Sequence, residues 1–147
     1  MTEPNFRLEI KRFIKAPADR VYAAWTQPEQ LRQWFGPEQV QTTNLIADPR
    51  SGGTFRWDLT DSDGDKLTMK GEFRELQPGR KVVFTWHWEN DEVWENHVSI
   101  VTVELTERAG GTELRLIHEQ LPNEQSRDSH TAGWNSALDK LEKFARS

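Results

Sequence analysis

A chain of 147 residues, 35% hydrophobic and 29% charged, has the length of one ordinary domain and enough apolar material to close a core unaided. Its net charge of −5, with no run of basic residues, excludes the usual phosphate-binding footprint of a nucleic-acid partner. The absence of cysteine excludes disulfides, thiolate metal ligands and cysteine nucleophiles. No segment is long and apolar enough to cross a membrane, and Met1-Thr2-Glu3-Pro4 begins no signal-like stretch. A cytoplasmic protein with one domain over 1–147 is expected.

Asn5 to Ile14 reads as a strand in which Phe6, Leu8 and Ile10 alternate with charged residues; the alternation slips at Arg12-Phe13, as at a bulge or strand end. Pro17 suits the first position of a helix carrying Val21, Ala24 and Trp25. Pro28 opens a second short helix with Leu31, Trp34 and Phe35 on its inner side, stopped by Gly36-Pro37. Period-two patterning then predicts strands over 40–47, 54–60, 67–76 and 82–88, separated by Gly- and Pro-bearing turns. Residues 97–106 and 112–120 read as a hairpin across Ala109-Gly110-Gly111. Helical spacing returns from Asn123 to Ala145, through His130, Trp134, Ala137, Leu138 and Leu141.

The order is one strand, two short helices, about six antiparallel strands and a long helix, an α+β arrangement in which the last helix covers one sheet face. Side chains at i, i+2 and i+4 of a strand share a face. Phe55 with Trp57, and Phe84 with Trp86 and Trp88, therefore converge with Trp134 between sheet and helix. Such convergence makes either a large aromatic core or the wall of a hydrophobic cavity.

Specific residues sit at the joints of this order. They include Ile14-Lys15-Ala16-Pro17 before Val21-Tyr22-Ala23-Ala24-Trp25-Thr26, Pro28-Glu29-Gln30-Leu31 with Trp34-Phe35-Gly36-Pro37, and Asp48-Pro49-Arg50-Ser51-Gly52-Gly53. Further on come Lys70-Gly71-Glu72-Phe73, Val82-Val83-Phe84-Thr85-Trp86, Gly110-Gly111-Thr112 and Gly133-Trp134. In these the chain resembles the homologues of the activator of the heat-shock-protein-90 ATPase, within the START-like (SRPBCC) superfamily. The resemblance implies a helix-grip fold, with a curved antiparallel sheet of six to seven strands wrapped around the C-terminal helix and a cavity between them. It implies no particular reaction, since the superfamily includes lipid and hormone binders, cyclase-like proteins and stress-response co-chaperone domains. Members named for the co-chaperone carry an additional N-terminal domain without counterpart in these residues, which weighs against chaperone activation.

On that arrangement the inner face holds Trp57, Met69, Phe73, Phe84 and Trp86. Extending the strand phase back from Val101 adds His97 and Glu95, and forward from Leu116 adds His118, while His130 lies one helical turn before Trp134. The expected site is therefore an aromatic chamber contacting a small hydrophobic or aromatic molecule through Trp57, Met69, Phe73, Phe84, Trp86 and Trp134. Glu95, His97, His118 and His130 orient that ligand. Gly133 inside the helix points to a close approach or an opening there. No cofactor is expected. No metal is expected either, because the histidines lack the short spacing of a motif such as H-E-x-x-H. Asp61, Asp63, Asp65 and Glu72 imitate a calcium loop, but Lys66 replaces its required glycine, and a hairpin turn at Asp63-Gly64 is expected.

Two rival readings remain. One is a cyclase- or hydrolase-like enzyme using His118 or Glu95 as acid or base. The other is a co-chaperone-type interaction protein, or a homodimer, meeting its partner through the outer sheet residues Val83, Val98, Ile100 and Ile117.

Overall fold

The computed structural model describes residues 6–146; position 5, where the first strand is expected to begin, lies outside them. In chain order the elements are β1 (Phe6–Ile14), α1 (Ala18–Thr26), α2 (Pro28–Trp34), β2 (Gln41–Ala47), β3 (Thr54–Thr60) and β4 (Lys66–Gln77). They continue with β5 (Lys81–Trp88), a one-turn 3₁₀ helix (Glu92–Trp94), β6 (Ser99–Arg108), β7 (Gly111–Leu121) and α3 (Glu124–Arg146). The strands form one seven-stranded sheet in the order β1-β7-β6-β5-β4-β3-β2, with every neighbouring pair antiparallel. The two edges, β1 and β2, are joined in sequence through α1 and α2, so the chain crosses from one edge to the other over a sheet face. The long α3 packs against β1, β7, α1 and α2. This is the helix-grip arrangement.

β1 runs without a break where the sequence pattern slips. Arg12, Phe13 and Ile14 pair in register with Leu114, Glu113 and Thr112; the irregularity lies instead between Phe6 and Leu8. The slip is chemical, since an arginine occupies an inward position. Arg12 reaches α3, where Nη1 donates to Asp139 (2.8 Å) and Glu142 (2.6 Å) and Nη2 to the carbonyl and side chain of Asn135. Its aliphatic stem lies along the inner face while the planar guanidinium satisfies several acceptors at once. Phe13 consequently faces out and is 43% exposed.

Pro17 stands one residue earlier in its helix than expected. It is the extended residue that caps α1, and its carbonyl accepts from the Arg20 and Val21 N–H groups. Pro28 does occupy the first turn of α2, where a missing N–H is harmless. The Trp34 indole donates to the Ala24 carbonyl (2.9 Å), locking α2 onto α1. The chain turns at Gly36 with φ +89°, where a side chain would be strained and its Cβ would lie 2.5 Å from Trp57 Cζ2.

Both ends of α3 are tied. The Asn123 side chain accepts from the Ser126 N–H (2.8 Å), capping the first turn. At the far end Arg20 donates to the Ala145 and Phe144 carbonyls and lies over the Phe144 ring, satisfying acceptors that a helix terminus leaves open. On the outer sheet face Ile117 is nearly covered, Val83 and Ile100 are half-buried, and Val98 precedes β6 at 47% exposure. Arg115 bridges that face, bonding Glu9 and Glu104 across three strands.

Replacing Arg12 with alanine is expected to lower the unfolding free energy by about 1–3 kcal/mol, because Glu142 and Asn135 lose a part-buried partner. Urea denaturation measures this; a loss below about 0.5 kcal/mol contradicts the role given to Arg12.

Candidate functional site

The sheet is wider than α3, and α3 leans toward the β1 edge. On the other side, between the first half of α3 and strands β3 and β5, the structure holds a hollow of about 470 Å³. Its buried wall includes Trp57 and Leu59 from β3, Trp86 from β5, Trp134 from α3, and Phe35 just after α2. Trp88 and Trp94 close one side, and the exposed Leu67, Asn90, Asp91 and Gln125 mark the mouth.

The indole N–H groups fix this wall. A buried indole is stabilised by an acceptor, and three of these rings find one, while Trp86 Nε1 is buried without one among the described residues. Trp57 donates to Thr42 Oγ1 (2.9 Å), Trp88 to His130 Nε2 (2.9 Å) and Trp134 to His118 Nδ1 (3.1 Å). An imidazole nitrogen that accepts is unprotonated, so the neutral ring carries its proton on the other nitrogen. His118 Nε2–H therefore donates to Ser99 Oγ (2.8 Å), and Ser99 passes its hydroxyl proton to the Trp86 carbonyl (2.9 Å). His130 Nδ1–H donates to the Ser126 carbonyl (2.6 Å). Two neutral imidazoles of opposite tautomer thus stand edge to face, 5.2 Å between centroids.

Protonation breaks this pattern, because an imidazolium donates from both nitrogens and meets the indole N–H head-on. The direction of the pKa shifts agrees. Burial pushes the wholly buried His118 well below its ordinary value, with neighbouring His130 adding to the effect. Burial also lowers His130, opposed in part by its bond to the Ser126 carbonyl.

Gly133 lines the hollow from α3, and a Cβ built there meets nothing within 4 Å. Of the two explanations for a glycine inside a helix, the opening is the one found. Lys140 Nζ donates to the Gly36 carbonyl (3.0 Å) and Ser136 Oγ accepts from the Glu38 N–H (2.9 Å), pinning the 35–40 segment beside the hollow.

Of the residues expected at the site, Trp57, Trp86, His130 and Trp134 line the hollow together. His118 lies behind the wall, bonded to Trp134 and in ring contact with Trp86. Met69, Phe73 and Phe84 face inward as expected but lie in the solid core, fully buried; Phe84 stacks on Phe55 at 4.9 Å. The face of a strand was legible, whereas depth along it depends on where α3 crosses.

Glu95 and His97 are corrected outright. The strand phase does not extend back through them, because the 3₁₀ turn and Asn96 at φ +57° precede β6, which begins at Ser99. Glu95 is exposed away from the hollow, and His97 Nε2 bonds the Gln120 carbonyl (2.6 Å). The sequence reading missed Trp94, Phe35 and Val40 as wall residues. The signal available for Trp94 was the pair Asn90 and Asn96, both of which adopt positive φ around the turn. The acidic segment forms the expected turn, with Asp61 Oδ1 accepting from the Asp63 and Asp65 N–H groups.

A family model described as activator of Hsp90 ATPase homolog 1-like protein matches residues 15–146. Among solved structures, a Chromobacterium violaceum protein is 25% identical, with 97% of this chain and 98% of that one covered and a TM-score of 0.89. A Rhizobium leguminosarum protein is 27% identical over 97% of this chain and 95% of its own, with a TM-score of 0.82. A Silicibacter pomeroyi protein is 25% identical over 93% and 95%, with a TM-score of 0.81. No curated protein matches the chain.

The buried His118 and part-buried His130 are neutral when folded, each accepting an indole N–H, and take up protons near 6.5 when unfolded. The unfolded state therefore binds more protons below that value, so stability is full above it and falls as pH drops through it. The expected slope approaches about 1.4 kcal/mol per pH unit for His118, with a contribution of the same sign from His130. Asp58, held at about 2 by bonds from Arg56 and Thr68, loses its contribution only in a lower window, below 3.8. Urea unfolding from pH 7.5 to 5 measures the slope, and a flat profile contradicts the assignment.

Proposed function

The chain belongs to the family of activator of Hsp90 ATPase homolog 1-like proteins, and from that premise we propose that it binds a small apolar or aromatic molecule in the hollow beneath α3. The observation that carries this reading is Gly133. Glycine in a helix interior costs about 1 kcal/mol relative to alanine. Here nothing sterically requires it, since a methyl group would project into open space. An unfilled volume walled by indoles accounts for it.

The size of the hollow supports the same reading, lying within the range of about 300–1,000 Å³ typical of small-molecule sites. Its buried part is ring and aliphatic surface, suited to a ligand with a flat apolar body, and its exposed rim mixes polar Asn90, Asp91 and Gln125 with Leu67 and Val93. Binding is favoured over acid–base catalysis because His118 and His130 each commit both ring nitrogens to protein partners. Glu95, the other candidate base, is exposed outside the hollow.

Isothermal titration calorimetry with neutral 2-naphthylmethanol provides the test. The wild-type protein is expected to bind one equivalent saturably, and Gly133→Leu to bind at least roughly tenfold more weakly while retaining its helical circular dichroism. Gly133→Ala is expected to raise stability by up to about 1 kcal/mol while narrowing the hollow. Equal binding by wild type and Gly133→Leu contradicts the proposal, as does the absence of saturable binding by wild type for this alcohol and for its cationic and anionic naphthyl analogues alike.

A further inference from the structure

The geometry points to an organic cation, a protonated amine or quaternary ammonium on an apolar body, as the ligand class of the hollow. This inference rests on the binding reading above and specifies it.

The first observation is charge. Among the described residues lining the hollow, the ionisable side chains are Glu89, Asp91 and His130, and no lysine or arginine is present. His130 is part-buried and, accepting the Trp88 N–H, neutral, so the formal charges facing the site are negative. Glu89 is partly compensated by Lys70, which reaches it at 2.7 Å from a position outside the lining. Asp91 has no cation partner among the described residues; one oxygen, Oδ1, accepts from the Val93 N–H (3.0 Å). It is exposed at the mouth, where it can meet an incoming charge without first being desolvated.

The second observation is the state of the indoles. Trp57, Trp86, Trp88, Trp94 and Trp134 all line one small hollow. The N–H groups of Trp57, Trp88 and Trp134 are turned into the protein and consumed by Thr42, His130 and His118. The Trp86 Nε1 has no hydrogen-bond partner among the described residues but is sealed from solvent, so it is not presented at the open surface of the hollow. These rings therefore offer the chamber mainly π surface and few donors. An anion or carbonyl-rich ligand gains little from such a wall, whereas a cation is attracted by the ring quadrupoles, most strongly when both are desolvated. At the start of α3, which also borders the hollow, the Ser126 N–H is already held by the Asn123 side chain.

The contribution expected from rings and rim together is roughly tenfold in affinity. It is larger than an exposed ion pair alone provides, which is why the indole wall is the main element and Asp91 the lesser one.

Calorimetry in amine-free, low-salt phosphate buffer compares 2-naphthylmethyltrimethylammonium with neutral 2-naphthylmethanol and anionic 2-naphthylacetate. The ammonium is expected to bind roughly tenfold more tightly than the alcohol, with the carboxylate weakest. Asp91→Asn, which keeps the oxygen that caps the turn, is expected to weaken the ammonium by roughly two- to threefold relative to the alcohol. An ammonium preference that survives this variant still supports the proposal, through the rings alone. An alcohol that binds as tightly as the ammonium, or a carboxylate that binds tightest, overturns the charge class and leaves the binding site standing. Failure of all three probes to bind in a manner lost in Gly133→Leu overturns both.

Discussion

A buried indole N–H is stabilised by an acceptor, and the hollow of this protein depends on how Trp57, Trp88 and Trp134 find theirs, Trp86 and Trp25 being buried without one among the described residues. Two indoles at its wall, Trp88 and Trp134, donate to imidazoles rather than to backbone carbonyls. The imidazoles pass the constraint on. His130 bonds back to Ser126 within α3, joining the end of β5 to the start of the helix. His118 bonds through Ser99 to the Trp86 carbonyl, linking α3 to β7, β6 and β5. Rings that could otherwise collapse into the available volume are held at their edges. The same bonds require both histidines to remain neutral, so electrostatics and shape depend on one set of contacts.

This network sits beside packing of the ordinary kind. Below the hollow, Phe55, Phe73, Phe84 and Met69 fill the space between sheet and helices without exposed surface. At the β1 edge Arg12 grips α3 through a carbonyl, an amide and two carboxylates. Fixed there and at both termini, α3 is free to stand away from β3 and β5 along its first half. Gly133 widens the resulting gap. Dense packing elsewhere supports a local opening, as in many binding proteins where one region departs from the best-packed solution.

Much of this architecture was legible in the sequence, because period-two and period-three-to-four patterning in β3, β5 and α3 carry their own signals. The convergence of Trp57, Trp86 and Trp134 followed from strand alternation and helical spacing together with the sheet-to-helix arrangement that the resemblance implies. What escaped depended on partners distant in the chain. Arg12 read as a break in β1 because its acceptors lie more than 120 residues away on α3. Met69, Phe73 and Phe84 were assigned the correct face but not the correct depth, which is set by where the helix crosses. His97 and Glu95 were carried along a strand phase that the 3₁₀ turn interrupts. The tautomers of His118 and His130 had no sequence signal, since they follow from which indole each ring meets.

The most direct measurement is a long-range ¹H–¹⁵N correlation spectrum of the histidine side chains at pH 7. The account predicts His118 neutral with its proton on Nε2 and His130 neutral with its proton on Nδ1, each with its other nitrogen unprotonated and accepting. An imidazolium at either position, or the reverse tautomer at either, would mean that the indoles are not held in this way and that the wall of the hollow has another origin.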